Sequence, residues 1–348
     1  MMGGTKSLTY DVVISPLFTA VLKPARFIKN KFLPLFGSGS WKEMSSSQIE
    51  SAEASSIQTS PKEMKLLTYN IWGAPQDSGS PYFKFPERSA AVLKIIKSEE
   101  PDVICLQEVS ADWAEAILNN PYIRDNFYST DFNSERVKSY FGLSQIILSK
   151  YPIISAKVYG LPGYEIYTLL QAELQVGPSK VSVNNVHLHS SKQYSTFRKA
   201  QLETMFKILG EGGEQTQIVA GDFNFGDDAE ENRHISKAFD DLWLKLKNGD
   251  PGYTEDTDIN KMRLNFKQAS KQERYDRVLL NGNDNEYLKP AFIKKIGTRP
   301  IDGGADTWPS DHFGLLTQFD LLSKTKKSKQ EKSPPDREKK LSPVSLSK

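Results

Sequence analysis

The stretch Pro101-Asp102-Val103-Ile104-Cys105-Leu106-Gln107-Glu108-Val109 sets four consecutive apolar residues between a proline and a glutamate. A run this short, with no polar alternation inside it, predicts a strand from Asp102 to Val109 that is covered on both faces. Outward from it, Met64 to Asn70 also reads as a strand, and Pro86 to Ser98 as a helix. Further strands are predicted over Leu143 to Ser149, Ile153 to Tyr159, Leu169 to Val176, Lys180 to Leu188, Gln217 to Asp222, Arg274 to Asn281 and Phe313 to Phe319. Leu202, Met205, Phe206 and Leu209 recur at i, i+3, i+4 and i+7, which predicts a helix within residues 193–210 with one buried face. These are too many strands for one parallel sheet alternating with helices. The expected fold class is α/β, with two packed sheets and helices outside them.

Composition sets the limits on function. The 348 residues are 38% hydrophobic and 25% charged, ordinary values for a globular protein. The single cysteine, Cys105, lies inside an apolar run, so there is neither a disulfide framework nor a cysteine metal site, which favours an intracellular protein. Residues 1–63 carry 7 basic and 5 acidic side chains and residues 323–348 carry 9 and 3, which leaves 29 basic against 35 acidic, about −6, between them. The central domain is therefore no basic nucleic-acid grip by bulk charge. A polyanion would have to be met by a local patch or a metal.

Four segments follow from the pattern. Residues 1–36 mix apolar pairs such as Leu17-Phe18 and Phe32-Leu33 with Lys23, Arg26, Lys29 and Lys31, and Pro16, Pro24 and Pro34 break any long helix. That segment is too short in apolar runs to span a bilayer; lying on a membrane surface through residues 7–36, targeting, and docking on the domain are the readings open to it. Residues 37–63 are a Ser-rich linker, 64–322 the folded domain, and 323–348 a basic tail expected to be disordered.

Polar clusters fall at the ends of the predicted strands. Asn70 closes the first and Gln107-Glu108 the second; His187-Leu188-His189-Ser190 and Gly221-Asp222-Phe223-Asn224 close two more. Asp311-His312 stands just before the last, where a bland reading is a polar turn leading into an edge strand. One such cluster is readily a turn or a helix cap, but five in one domain are not explained by capping. Together they suit cleavage of a phosphoester with a hard divalent cation: Mg²⁺, or Mn²⁺ in its place, takes oxygen ligands and needs only one or two carboxylates, with Glu108 as anchor. Asp222 would orient or deprotonate the attacking water, while His and Asn side chains stabilise the charge of the transition state. Asp276, in Arg274-Tyr275-Asp276-Arg277, is a candidate partner for an imidazole; its alternative is a surface salt bridge with Arg274 or Arg277. His234 reads as a plain surface residue.

Thr68-Tyr69-Asn70, Cys105-Leu106-Gln107-Glu108-Val109, His187-Leu188, Gly221-Asp222-Phe223-Asn224 and Ser310-Asp311-His312 occur in an order that resembles the endonuclease/exonuclease/phosphatase superfamily over about residues 64–320. The resemblance implies a four-layer α/β sandwich of two mixed sheets flanked by helices, the deoxyribonuclease I-like fold, and a Mg²⁺-dependent phosphodiesterase or phosphatase. It implies that Asn70 and Glu108 serve the metal, that Asp311 belongs to the metal shell or its waters, and that His187 and Asn224 contact the phosphate. It also implies that Asp222 directs the water and that His312 is paired with Asp276.

Within the superfamily, Asp241-Leu242-Trp243, Gly252 to Thr257, Arg274 to Arg277 and Pro309 to Leu315 are similar to the tyrosyl-DNA phosphodiesterase 2 branch. That implies a DNA 5′ end as substrate, with Ser190 assisting at the phosphate, and we expect a monomer. Two positions depart from that branch: Glu255 replaces an aromatic residue, which is expected to place a negative charge near a polyanion, and Trp72 replaces an aspartate. Asn70-Ile71-Trp72-Gly73-Ala74-Pro75 with His187-Leu188-His189 is similar instead to the neutral sphingomyelinases, whose substrate is a membrane lipid. A non-catalytic binding module on the same fold is the remaining reading. Nucleus, cytoplasm and a membrane surface are all compatible addresses.

Overall fold

The computed structural model describes residues 61–73, 84–130, 144–164, 166–210, 215–267, 269–281, 287–301 and 307–322, and the short antiparallel pair 32–34 with 41–43. The expectations for the rest of residues 1–60, for the tail after Leu322, and for Ala74-Pro75 lie outside the described residues.

Two six-stranded sheets form the domain. The first contains β1 (Glu63–Asn70), β2 (Val103–Val109), β3 (Tyr128–Ser129), β4 (Ser144–Ser149), β13 (Leu288–Ile296) and β14 (Gly314–Leu321), in the order β13-β14-β1-β2-β4-β3. The second contains β5 (Ile153–Gly160), β6 (Thr168–Val176), β7 (Ser179–His187), β8 (Thr216–Asp222), β9 (Phe239–Asp241) and β12 (Asp276–Asn281), in the order β9-β12-β8-β7-β6-β5. A small pair, β10 (Glu255–Asp256) with β11 (Gln272–Glu273), stands apart. The helices are α1 (Phe85–Glu99), α2 (Ala111–Leu118), α3 (Pro121–Asn126), α4 (Ser195–Gly210), α5 (Leu242–Leu246) and α6 (Lys261–Lys267).

The unbroken apolar runs are explained by the layering. Alternate residues of a strand point to opposite faces. Val103 and Cys105 of β2 join Leu66, Ile147, Val183, Ile218 and Leu315 between the sheets. Ile104 and Leu106 of the same strand point outward to Val92 and Ile96 of α1 and to Trp113 and Ile117 of α2. On the second sheet, Val186 and Val219 face Leu202, Met205 and Leu209 of α4. Helix, sheet, sheet and helix make the four expected layers.

Two features differ from the sequence reading. β14 is not an edge strand: it lies between β1 and β13. The edge is β13, which the sequence pattern hides because Pro290 and a break in register between Pro290 and Phe292 disturb its alternation. Proline is tolerated there because an edge strand leaves one row of N–H groups unpaired. The strand predicted from Arg274 begins at Asp276, and the one predicted through Leu188 ends at His187.

Candidate active site

Each sheet has one parallel pair, β1 with β2 and β7 with β8, and these pairs end at the same rim of the sandwich. Their antiparallel neighbours β14 and β12 begin at that rim. Strand register then sets the side chains in rows: Asn70 is opposite Gln107, and Asp222 is flanked by His187 on one side and Asp276 on the other. Gly221 has φ +150°, and a Cβ there would overlap the carbonyl oxygen of Val186, so only glycine lets β8 come this close to β7 beside Asp222.

Backbone strain gathers at the same rim. Trp72, Glu108 and Asn224 have φ of 52°, 56° and 56°, a region non-glycine residues avoid and that commonly marks functional sites. Glu108 lies within a break in register between β2 and β4. A bulge of this kind turns a side chain away from the sheet normal. The Glu108 carboxylate is thereby aimed at the rim, where the Gly73 N–H reaches Oε2 at 3.2 Å.

Asp222 is buried and held from three directions. The Asn224 N–H donates to Oδ1 at 2.8 Å, while Asn70 Nδ2 and Asn224 Nδ2 donate to Oδ2 at 3.0 and 3.2 Å. Asn70 Nδ2 also reaches Glu108 Oε1 at 3.1 Å. His187 Nε2 stands 3.7 Å from Asp222 Oδ2 and 3.9 Å from Glu108 Oε1, with no hydrogen-bond partner of its own. On the other side His312 Nε2 lies 3.9 Å from Asp222 Oδ2, and Nδ1 lies 2.8 Å from Asp276 Oδ2. Asp276 is fully buried and makes no surface salt bridge; Arg274 and Arg277 pair with Asp227 and Asp241 instead. Burial alone would hold His312 neutral, but the carboxylates of Asp276, Asp222 and Asp311 outweigh it and raise its pKa well above the ordinary imidazole value.

The loop carrying Asp311 and His312 is tied to the first strand. Ser310 Oγ donates to the Asn70 carbonyl at 2.6 Å and accepts from the His312 N–H at 3.2 Å. Asp311 accepts from Arg263 Nη1 at 3.4 Å. Glu255 corrects the sequence reading: it is 1% exposed, paired with Arg263 and, at 2.9 Å, with Lys271 Nζ. A carboxylate desolvated to this degree needs cationic partners, so it adds no free negative charge to the mouth of the site. Ser190 stands apart from the central cluster and is exposed. His234 is a surface residue paired with Glu203.

Sequence reasoning missed the scaffolding. Arg88, 1% exposed, donates to the carbonyls of Pro309, Ile71 and Trp72 at 3.1, 2.6 and 2.9 Å and so joins the loops after β1 and before β14. Its signal was an arginine four and eight residues before Val92 and Ile96, on the buried face of α1. Asn185 and Gln107 meet between the sheets, and no local pattern announces that contact. Arg198 holds the turn after His187, donating to the carbonyls of His189 and Ser191 and to Glu231.

Among the described residues, two groups of three metal-ligating side chains converge: Asp222, Asp276 and His312, and Glu255, Asp311 and His312. Both are buried, and both spend their atoms on internal partners, since Asp276 binds His312 while Glu255 binds Arg263 and Lys271. Nearer the rim, Glu108 supplies carboxylate oxygens with Asp222 beside it, and Asn70 turns its Nδ2 toward both while its Oδ1 accepts from the Trp72 N–H at 3.0 Å. An oxygen-rich donor set that is open to solvent on one side fits a hard divalent cation that retains several waters.

The sequence pattern of the Endonuclease/Exonuclease/phosphatase family matches residues 67–312, and the chain belongs to that family. Among relatives, it is 27% identical over 262 residues to tyrosyl-DNA phosphodiesterase 2 of Xenopus laevis, covering 74% of this chain and 66% of that one. It is 25% identical over 284 residues to a putative neutral sphingomyelinase of Drosophila melanogaster, covering 75% and 61%. D. rerio TDP2 complexed with single-strand DNA product superposes with a TM-score of 0.63 at 20% identity, over 75% of this chain and all of that one, which establishes the shared fold. Among the described residues no helix is long and apolar enough to cross a membrane.

Proposed function

We propose that the protein is a divalent-metal-dependent phosphodiesterase of the tyrosyl-DNA phosphodiesterase 2 type, acting at the 5′ end of DNA. The observation that carries the reading is the row Asp276, His312, Asp222: a buried carboxylate 2.8 Å from an imidazole whose other nitrogen faces a second, triply held carboxylate. Such a row orients an acid and a base on either side of one small volume.

Asp222 takes the proton of the attacking water, because Asn70 and Asn224 fix its oxygens by hydrogen bonds that leave the carboxylate no freedom to turn away. His312, charged by Asp276, donates to a phosphate oxygen as negative charge gathers there. His187, whose Nε2 is unpartnered, binds a remaining oxygen, and Asn224 joins it by turning one Nδ2 proton from the Leu188 carbonyl to the phosphate. Ser190, exposed two residues beyond Leu188, assists at the phosphate. Glu108 would hold the cation, Mg²⁺ by preference and Mn²⁺ in its place, with Asn70 joining it once its Oδ1 turns from the Trp72 N–H and Asp311 on its waters. When bound, that cation neutralises the phosphate and stabilises the leaving oxygen.

A lipid phosphodiesterase is the second reading, supported by Asn70-Ile71-Trp72-Gly73 and His187-Leu188-His189 together with the Drosophila relative. Under it, residues 1–36 address a membrane surface; under the first they address the protein to nucleus or cytoplasm or dock on it. The catalytic domain runs from residue 64 to 322 in either case, as a monomer between a linker and a basic tail. The test offers the full chain a 5′-phosphotyrosyl oligonucleotide, sphingomyelin in micelles and an abasic duplex, each with Mg²⁺ and with chelator. Mg²⁺-dependent release of tyrosine supports the first reading, and turnover of sphingomyelin alone overturns it.

A further inference from the structure

We propose that Tyr164 and Phe197 form a stacking platform for a planar aromatic group that the substrate carries beside its scissile phosphate. The inference rests on the phosphodiesterase reading for the position of that phosphate, at His187 and Asn224.

The platform is the outer end of a series of rings that starts at the reaction centre. Tyr167 meets His187 edge-on at 6.5 Å between centroids. Its other neighbour is His189, stacked at 4.4 Å and 29°, and His189 is stacked in turn on Tyr194 at 3.9 Å and 28°. Tyr164 and Phe197 both lie 5.7 Å from the His189 ring, the phenylalanine within 26° of parallel. The inner ring of this series is sealed, with His189 4% exposed, whereas Tyr164 is 60% and Phe197 41% exposed. Two large aromatic rings thus face solvent at the outer end of the ring series that begins at the phosphate-binding histidine.

The wall is braced, so the exposed rings have little freedom to turn inward. Gln201 accepts from the His189 N–H at 3.0 Å and donates to the Pro162 carbonyl at 2.8 Å, which joins both ring-bearing loops to α4. Buried Arg198 holds the His189 and Ser191 carbonyls and is itself fixed by Glu231. His189 Nδ1 lies 2.8 Å from the Ser190 carbonyl and so carries its proton there, which leaves Nε2 a buried lone pair without a partner. The opposite wall offers no equivalent surface at Glu255, whose carboxylate is consumed by Arg263 and Lys271. Exposed, pre-positioned rings beside a phosphate subsite are suited to the π-face of a nucleobase or of an aryl ester, both of which stack without regard to hydrogen-bond pattern.

Equilibrium binding tests this without relying on turnover. Thymidine 5′-monophosphate, phenyl phosphate, deoxyribose 5-phosphate and phosphocholine are titrated in Mg²⁺ into the wild-type chain, Tyr164→Ala/Phe197→Ala and Tyr164→Phe/Phe197→Tyr. The expected result is about tenfold tighter binding of an aromatic phosphate than of deoxyribose 5-phosphate, lost in the alanine pair and restored in the conservative pair. An advantage confined to thymidine monophosphate assigns the base, and one confined to phenyl phosphate assigns the leaving aryl group. Equal binding of aromatic and non-aromatic phosphates overturns the proposal, as does an advantage of phosphocholine alone, which would make the rings a cation cage. Turnover of the phosphotyrosyl oligonucleotide by the same wild-type protein reads the proposed function separately.

Discussion

Gln107 Nε2 of the first sheet donates to Asn185 Oδ1 of the second at 2.7 Å, and Asn185 Nδ2 returns hydrogen bonds to the Leu106 and Ile146 carbonyls at 2.9 and 3.2 Å. These are the carbonyls beside the break in register that turns Glu108 toward the rim. Inside an otherwise apolar interface this bond locks the bulge of one sheet to a strand of the other.

Asn185→Leu is therefore expected to take the Asn185 amide from the Leu106 and Ile146 carbonyls and to leave Gln107 Nε2 with only Thr68 and the Cys105 carbonyl, at a cost of about 1–3 kcal/mol in unfolding free energy. Because Glu108 loses its backing, Mg²⁺ affinity should fall together with the midpoint of denaturation. An asparagine that served packing alone would change stability and leave Mg²⁺ affinity, read by calorimetry, where it was.

The His312 pair predicts a pH profile. Burial opposes the charge on His312, and Asp276, Asp222 and Asp311 overcome it, so the folded pKa lies well above 6.5. The stabilisation from this raised pKa is complete below the unfolded value, about 6.5, and is lost as pH rises through the folded value. Activity should decline on the alkaline side for the same reason. Asp276→Asn removes the main attractive charge, so the alkaline limb should move to lower pH; a limb that stayed in place would assign it to another group.

Asp222→Asn preserves shape and the hydrogen bond from the Asn224 N–H to Oδ1 but removes the proposed base. Turnover is expected to fall by several orders of magnitude with the melting temperature held or raised, since a buried charge has gone. His312→Ala should lose a comparable factor in rate. Near-full activity in either variant would refute the role assigned to that residue.

Glu108→Gln should abolish Mg²⁺-dependent turnover and the heat of Mg²⁺ binding while circular dichroism remains that of the wild type. Chelation of the wild-type protein should reproduce the loss of turnover, and Mg²⁺ or Mn²⁺ should reverse it.

Glu255→Gln leaves Arg263 and Lys271 without their shared carboxylate. The expected cost is about 3 kcal/mol, at the low end for a broken buried pair because Lys271 keeps some access to water. The double variant Glu255→Gln/Arg263→Met should be less destabilised than the single one. Additive losses would show that the two residues do not act as a pair.

Much of this protein was determined by local sequence. Apolar runs such as Val103 to Leu106 stay unbroken only where both faces of a strand are covered, and with the number of strands this made two packed sheets with helices outside legible without contacts; the four-layer sandwich followed from the family resemblance. The polar strand ends Asn70, Glu108, His187, Asp222 and Asp311-His312 were legible too, because each interrupts an apolar run where packing has no use for it. Tertiary structure decided what those residues do to one another. Strand order decided between the two readings of Asp276, burying it against His312 rather than pairing it with Arg274 or Arg277, and turned Glu255 from an apparent free charge into a paired one. It also joined Arg88, Gln107 and Asn185 to loops and strands distant in sequence, and gathered Tyr164 and Phe197 around His189. The physical reason is that burial and periodicity are written residue by residue along a chain, whereas a hydrogen bond or an ion pair between sheets exists only once both have been placed.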